Sequence, residues 1–176
     1  MTILLKLKHW QLFILLFFPM VFSTDSILGH LVHILAFSLY LMWIYTIATT
    51  AFNQLKEAYE VRIKYFNFSI LFVVCWLLVA TLFAQGGYQI SQNNYQEFGS
   101  SLWIIASIYL YGVWSIIFIF YFAAKMLVSK NEGKIIGLDR AFNCFMGFWI
   151  FPIGIWFIQP MAQQLLEDDN KKTKDE

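Results

Sequence analysis

Long uncharged, apolar runs separated by short polar segments set the pattern of this chain. Residues 141–166 carry no Asp, Glu, Lys or Arg over 26 positions and lie between Arg140 and Glu167. As a helix this run would be about 39 Å long, enough to cross roughly 30 Å of hydrocarbon. Pro152 and Gly154 in its middle predict a kinked or broken helix packed inside a bundle, because a carbonyl freed by proline cannot be left facing lipid.

Four further apolar runs precede this segment, which predicts an all-α, polytopic transmembrane bundle of about five spans. They occupy residues 1–22, 27–55, 66–84 and 98–124. The first resembles a signal peptide, with Val21 and Ser23 spaced like the small residues before a cleavage site, but we interpret it as a retained signal anchor. We expect one domain over 1–166 and a polar tail over 167–176. Asp139 is a candidate cap for the last helix.

The distribution of Lys and Arg predicts the orientation. Successive polar segments, starting with the N-terminus, hold two, zero, three, zero and four of these residues. This alternation predicts a multi-pass protein with a cytoplasmic N-terminus. If the last segment crosses fully, which we expect, the C-terminus lies outside; if the segment re-enters, the C-terminus lies on the cytoplasmic side.

Composition supports a membrane protein and excludes other classes. The chain is 60% hydrophobic, 20% aromatic and 13% charged, well above the apolar content of soluble domains. A net charge of +1 provides no field for binding nucleic acid. Cys75 and Cys144 both lie within apolar runs, so we expect two inert, buried thiols rather than a disulfide.

Small and hydroxyl side chains on the fourth run predict a helix-packing seam. Ser107, Tyr111, Gly112 and Ser115 recur at helical spacing, which would allow a second helix to approach closely. We expect their hydroxyls to hydrogen-bond the Phe148 carbonyl, which Pro152 leaves without its helical partner.

The polar residues near the second run are the only candidate metal site. His30 and His33 share a helical face, Asp25 precedes them, and Glu97 lies in the other loop that we predict outside. Imidazoles and carboxylates at this spacing can hold a divalent metal. Interfacial side chains that hydrogen-bond backbone and water are the favoured alternative, so we expect no metal, no cofactor and no catalytic residue.

The amides of the last segment offer a second choice between function and structure. They could line a polar path, although such groups more often bridge helices or lie at the interface; they are Asn143, Gln159, Gln163 and Gln164. The tryptophans Trp43, Trp76, Trp103, Trp114, Trp149 and Trp156 are typical of interfacial belts and packing. The absence of formal charge within the runs disfavours an ion pump.

Several blocks of the chain resemble an uncharacterised family of small multi-spanning proteins of Bacteroidota. The blocks are KLKHWQLF, MWIYTIATTAFNQL, YFAAKML and, most specifically, FPIGIWFIQP. The resemblance implies a bacterial inner membrane and no catalytic residues. Members of that family tend to have a basic residue after the Gln-Pro pair, whereas this chain continues with Met161, Ala162 and an acidic tail.

The sequence leaves three hypotheses for function. The first is a non-enzymatic accessory or structural subunit that lies in the lipid bilayer and packs against another membrane protein or a second copy of itself. The alternative is a small channel or carrier for a small or apolar solute, which the broken last helix favours. The third is a metal-dependent membrane enzyme using His30 and His33.

Overall fold

A computed structural model describes residues 3–21, 27–55, 63–85, 99 and 101–172. Most of these residues are helical, and there is no β-strand among them. The helices are α1 (Ile3–Lys6), α2 (His9–Phe17), a 3₁₀ helix (Phe18–Val21), α3 (Ile27–Gln54), α4 (Ile63–Gln85), α5 (Ser101–Glu132), α6 (Leu138–Trp149) and α7 (Phe151–Lys172).

Three of these helices are long and apolar enough to cross a membrane. The crossing segments are Leu28–Gln54 in α3, Ile63–Thr81 in α4 and Trp103–Glu132 in α5, with mean hydropathies of 1.8, 2.0 and 2.0. These three helices pack together as a frame, in which α5 contacts both α3 and α4. The five spans predicted from the sequence reduce, in the described residues, to three candidates.

The last apolar segment is two helices rather than one. At Ile150 the backbone leaves the helical region, with φ −92° and ψ 62°. The Ile150 N–H still bonds the Met146 carbonyl at 2.8 Å, while the Ile150 carbonyl accepts from Ile153 and Gly154. Pro152 is the second residue of α7, a position whose N–H has no helical partner in any case. The break expected near Pro152 is therefore present, but it lies at Ile150.

The two helices double back on each other as a hairpin. The backbones of Gly147 and Gly154 are in direct contact, and a Cβ on Gly147 would lie 3.0 Å from the Ile158 Cδ1. Gly147 and Ile158 would be about 16 Å apart along a straight helix. The last segment is therefore broken, as the sequence predicted, but it folds back on itself instead of continuing in one direction over residues 141–166. Two glycines allow this turn because neither carries a side chain into the contact.

The hairpin turn lies beside the middle of α3. Tyr40 contacts Phe148 and Phe151 at the turn, and the Gln54 side chain at the end of α3 bonds the Leu165 carbonyl at 2.9 Å. The earlier residue of α3 contacts the start of α7 and the later residue contacts its end, so α7 runs parallel to α3. The end of α7 therefore lies beside the end of α3, not at its start as a full crossing would require.

The N-terminal segment is also broken into short helices. The 3₁₀ helix contains Pro19, and α2 with this helix spans only about 21 Å, less than the hydrocarbon thickness. His9 and Phe13 contact Trp156, whereas the earlier Leu4 and Leu5 contact Gln159. The segment thus runs antiparallel to α7, and the first of the five predicted spans, over residues 1–22, is not among the candidate spans of the described residues.

Candidate functional site

A buried glutamine joins three parts of the fold. Gln159 on α7 is fully buried. Its Oε1 accepts a hydrogen bond from the Trp43 indole at 2.7 Å, and its Nε2 donates to the carbonyls of Leu4, Leu5 and Leu7 at 3.0, 3.1 and 2.7 Å. The indole can only donate and the carbonyls can only accept, so the orientation of the amide is fixed by its partners.

This arrangement, which we call the amide centre, is structural in character. The carbonyls lie at the end of α1, where a helix has no internal donors left, and Gln163 adds a second bond to Leu7 at 2.9 Å. Both polar atoms of the Gln159 amide, Oε1 and Nε2, have hydrogen-bond partners, so neither is left free to form a polar path. Asn143 and Gln164 are exposed instead. Of the four amides named from the sequence, Gln159 and Gln163 bridge helices.

A tyrosine on α3 holds the hairpin turn. The Tyr40 hydroxyl donates to the Phe148 carbonyl at 2.6 Å, and its ring contacts Phe151. The expectation that a hydroxyl would bond this carbonyl is met, but the donors named from the sequence were wrong. They lie on α5, whereas α3 supplies the donor, because α3 runs alongside the turn.

The hydroxyls of the predicted packing seam lie elsewhere. Gly112 packs against the Trp76 indole of α4, and a Cβ there would lie 2.9 Å from the Trp76 ring. Tyr111 contacts Phe72 of α4, Ser107 bonds the Trp103 carbonyl of its own helix, and Ser115 is buried without a hydrogen-bond partner for its Oγ. This side of α5 therefore faces α4 and not the last segment.

The hairpin tip is exposed beside the middle of α3. Trp149 and Ile150 are both about half exposed, and Ile153 beside them is 61% exposed. Neither the Trp149 carbonyl nor the Phe151 N–H takes part in the backbone hydrogen bonds that close the turn among the described residues. An unpaired backbone group costs several kcal/mol in hydrocarbon, so the tip requires a polar neighbour.

One stripe of α5 continues beyond the tip, and its side chains are exposed. The hairpin covers α5 as far as Phe120, whose ring contacts Phe148 and Trp149. The same helical face then continues through Val113, Leu110, Ala106 and Trp103, all of which are exposed. We call these four residues the α5 stripe. They lie beyond the hairpin tip, on the part of α5 that precedes its contact with the hairpin.

The histidines are not assembled with other metal ligands in the described residues. The His33 Nδ1 lies 2.8 Å from the Gly29 carbonyl of the same helix. Asp25 and Glu97 lie outside the described residues, and within the described ranges no three His, Cys, Asp or Glu side chains are grouped to hold a metal. Asp139 lies in the first turn of α6, but Gly137 is the capping residue and no side chain caps the helix.

The sequence did not predict the contacts of two buried aromatic residues. Trp43 and Tyr40 were assigned no specific contact, yet each makes one polar bond to the last segment. The Gln-Pro pair in an apolar run was the available signal, because an amide at depth must find partners. Cys144 is buried as expected, whereas Cys75 is exposed on α4 and the expectation of burial was wrong there.

The fold defines a helical protein with three helices able to cross a bilayer, compatible with an integral membrane protein. No protein-family model, no curated protein and no solved structure matches the chain. Its function must be argued from its own surfaces.

Proposed function

We propose that this protein is a non-enzymatic integral membrane protein that acts as an accessory or structural subunit, packing against another membrane protein. The hairpin tip carries the proposal. It places two backbone groups that the turn does not hydrogen-bond, together with the exposed side chains of Trp149 and Ile150, beside the middle of α3, where lipid would offer no hydrogen bond.

A neighbouring transmembrane helix would satisfy the tip and cover the α5 stripe together. The stripe residues repeat at intervals of three and four, the spacing at which two helices pack side by side. Ala106 gives the stripe a small residue for close approach. A side-chain hydroxyl or amide on the partner would supply the missing bonds at the tip.

We place the protein in a bacterial inner membrane, with its basic end in the cytoplasm. Lys64, Lys130, Lys134 and Arg140 lie near the ends of α3, α4 and α5 that meet at the hairpin base. The positive-inside rule assigns this end to the cytoplasm. The resemblance of FPIGIWFIQP to the Bacteroidota family supports the same membrane.

Copurification in mild detergent, with a matched pair of α5 variants, tests the subunit proposal. We expect one membrane protein at about one copy per chain with the natural sequence. Ala106→Trp should reduce its recovery at least ten-fold by blocking the stripe, whereas Ile104→Trp, on another face of α5, should not. Thermal unfolding of both variants should match the natural protein, since neither position is buried.

Two outcomes would oppose this function. A partner recovered equally with both variants would show that the stripe is not the docking surface. A stable lone oligomer, with water-soluble thiol reagents reaching a cysteine placed at Ile150, would favour the channel or carrier instead, because water would then satisfy the tip.

A further inference from the structure

A second surface of α5, beside the stripe, forms a groove with α4. The groove has a volume of about 510 Å³. Its walls are mostly aromatic, including Tyr65 and Phe68 from α4 and Trp114, Phe118 and Tyr121 from α5. The small side chains of Ser69 and Ser115, both buried, also line it. Apolar walls around two small residues fit a flexible hydrocarbon chain.

The groove has a cation at one end. Lys125 lines it at the basic end of α5, with its Nζ 5.9 Å from the centre of the Tyr121 ring. Within the described ranges, the ion pair of this region joins Arg140 to Glu132 at 2.9 Å and does not include Lys125. A half-buried ammonium that has no carboxylate partner among the described residues favours a negatively charged ligand at this end.

The length of the groove corresponds to one bilayer leaflet. Tyr111 and Lys125 mark its two ends on α5, 14 residues or about 21 Å apart. Half of a bilayer including its headgroup region is also about 20–22 Å thick. The ammonium would then lie at headgroup level while the aromatic walls lie at the level of the acyl chains.

We propose that the α4–α5 groove binds an anionic phospholipid of the leaflet at the basic end of the protein. Lys125 contacts the phosphate, and one acyl chain lies along Tyr121, Phe118 and Trp114. This site goes beyond the subunit proposal and does not depend on it. The α5 stripe borders the groove, because Leu110 lies one helical turn from Trp114 on the same face of α5.

Quenching of Trp114 fluorescence by brominated lipids tests the site. The protein is placed in phosphatidylcholine vesicles containing increasing fractions of brominated phosphatidylglycerol or, in parallel, brominated phosphatidylcholine. Subtracting the signal of Trp114→Phe isolates the tryptophan that lines the groove. We expect brominated phosphatidylglycerol to quench Trp114 at about five-fold lower mole fraction than brominated phosphatidylcholine. This ratio corresponds to about 1 kcal/mol per lysine near a membrane surface.

Three lysine variants decide whether the groove produces this preference. Lys125→Gln should remove the five-fold preference, and Lys125→Arg should keep it because the charge is retained. Lys134→Gln is the matched control, since Lys134 is exposed in the loop at the same end and does not line the groove. Lys125→Gln should unfold at the natural temperature in neutral lipid.

The outcomes that would overturn the proposal are specific. Equal losses of preference in Lys125→Gln and Lys134→Gln would show general surface attraction rather than a site. Equal quenching by the two brominated lipids would show that the groove has no preference for negative charge. Protection of Trp114 from both lipids by a copurified protein would show that a protein segment occupies the groove.

Discussion

At the scale of single residues, the buried amide of Gln159 explains most about how the chain is held. One side chain satisfies an indole from α3 and three carbonyls from the N-terminal segment. In a bilayer these groups cannot turn to water instead. The amide centre therefore keeps the N-terminal segment attached to the hairpin without any formal charge.

Gln159→Leu should destabilise the fold by about 2 kcal/mol, because the substitution leaves the Trp43 N–H and the Leu4 and Leu5 carbonyls without their side-chain partner, while Gln163 still bonds Leu7. Unfolding by sodium dodecyl sulfate in mixed micelles, followed by circular dichroism, measures this loss. Gln164→Leu is the matched control on the same helix and should stay within about 0.5 kcal/mol of the natural protein, since Gln164 is exposed. Equal effects of the two changes would contradict a structural role for the amide centre.

At the scale of elements, the hairpin depends on backbone contact between two glycines. A Cβ on Gly154 would collide with the Gly147 carbonyl, and that carbonyl belongs to a helix that cannot shift alone. A Cβ on Gly147 would instead meet the end of the Ile158 side chain, which can change rotamer. The two glycines are therefore unequal, although both lie at the same crossing.

Gly154→Ala should separate α6 from α7 and cost at least about 3 kcal/mol, whereas Gly147→Ala should cost about 1 kcal/mol or less. The same detergent unfolding experiment compares them. Pro152→Ala should change stability little, because Pro152 occupies a position whose N–H needs no helical acceptor. A large effect of Pro152→Ala together with a tolerated Gly154→Ala would place the break at the proline instead.

The contrast between these elements shows what the sequence could predict. Length and hydropathy were sufficient for α3, α4 and α5, because a long apolar helix follows from local composition alone. The sequence predicted a break near Pro152 but favoured a full crossing over re-entry, because the fold-back depends on a contact between Gly147 and Gly154 that periodicity cannot detect. Likewise the donor to Phe148 was assigned to α5, since sequence order does not show that α3 runs beside the turn.

At the scale of the whole molecule, the described helices are distributed unequally along the frame. The basic half contains the frame together with α1 and the α6–α7 hairpin, whereas near the α5 stripe the hairpin no longer covers the frame. The amide centre lies in the basic half, and beyond the hairpin tip the side chains of the α5 stripe are exposed. The distribution of exposed surface supports a partner there and a lipid in the groove of the basic half.

The central claim of this account is that the last apolar segment returns to the surface from which it enters. Single cysteines at Lys134, before α6, and at Lys172, the last residue of α7, test it in a protein whose Cys75 and Cys144 are replaced by serine. A membrane-impermeant maleimide is applied to intact spheroplasts and to inverted vesicles. We predict that both cysteines are labelled in inverted vesicles and neither in spheroplasts; labelling of Lys134→Cys and Lys172→Cys from opposite sides would show that the segment crosses the membrane and would contradict the hairpin.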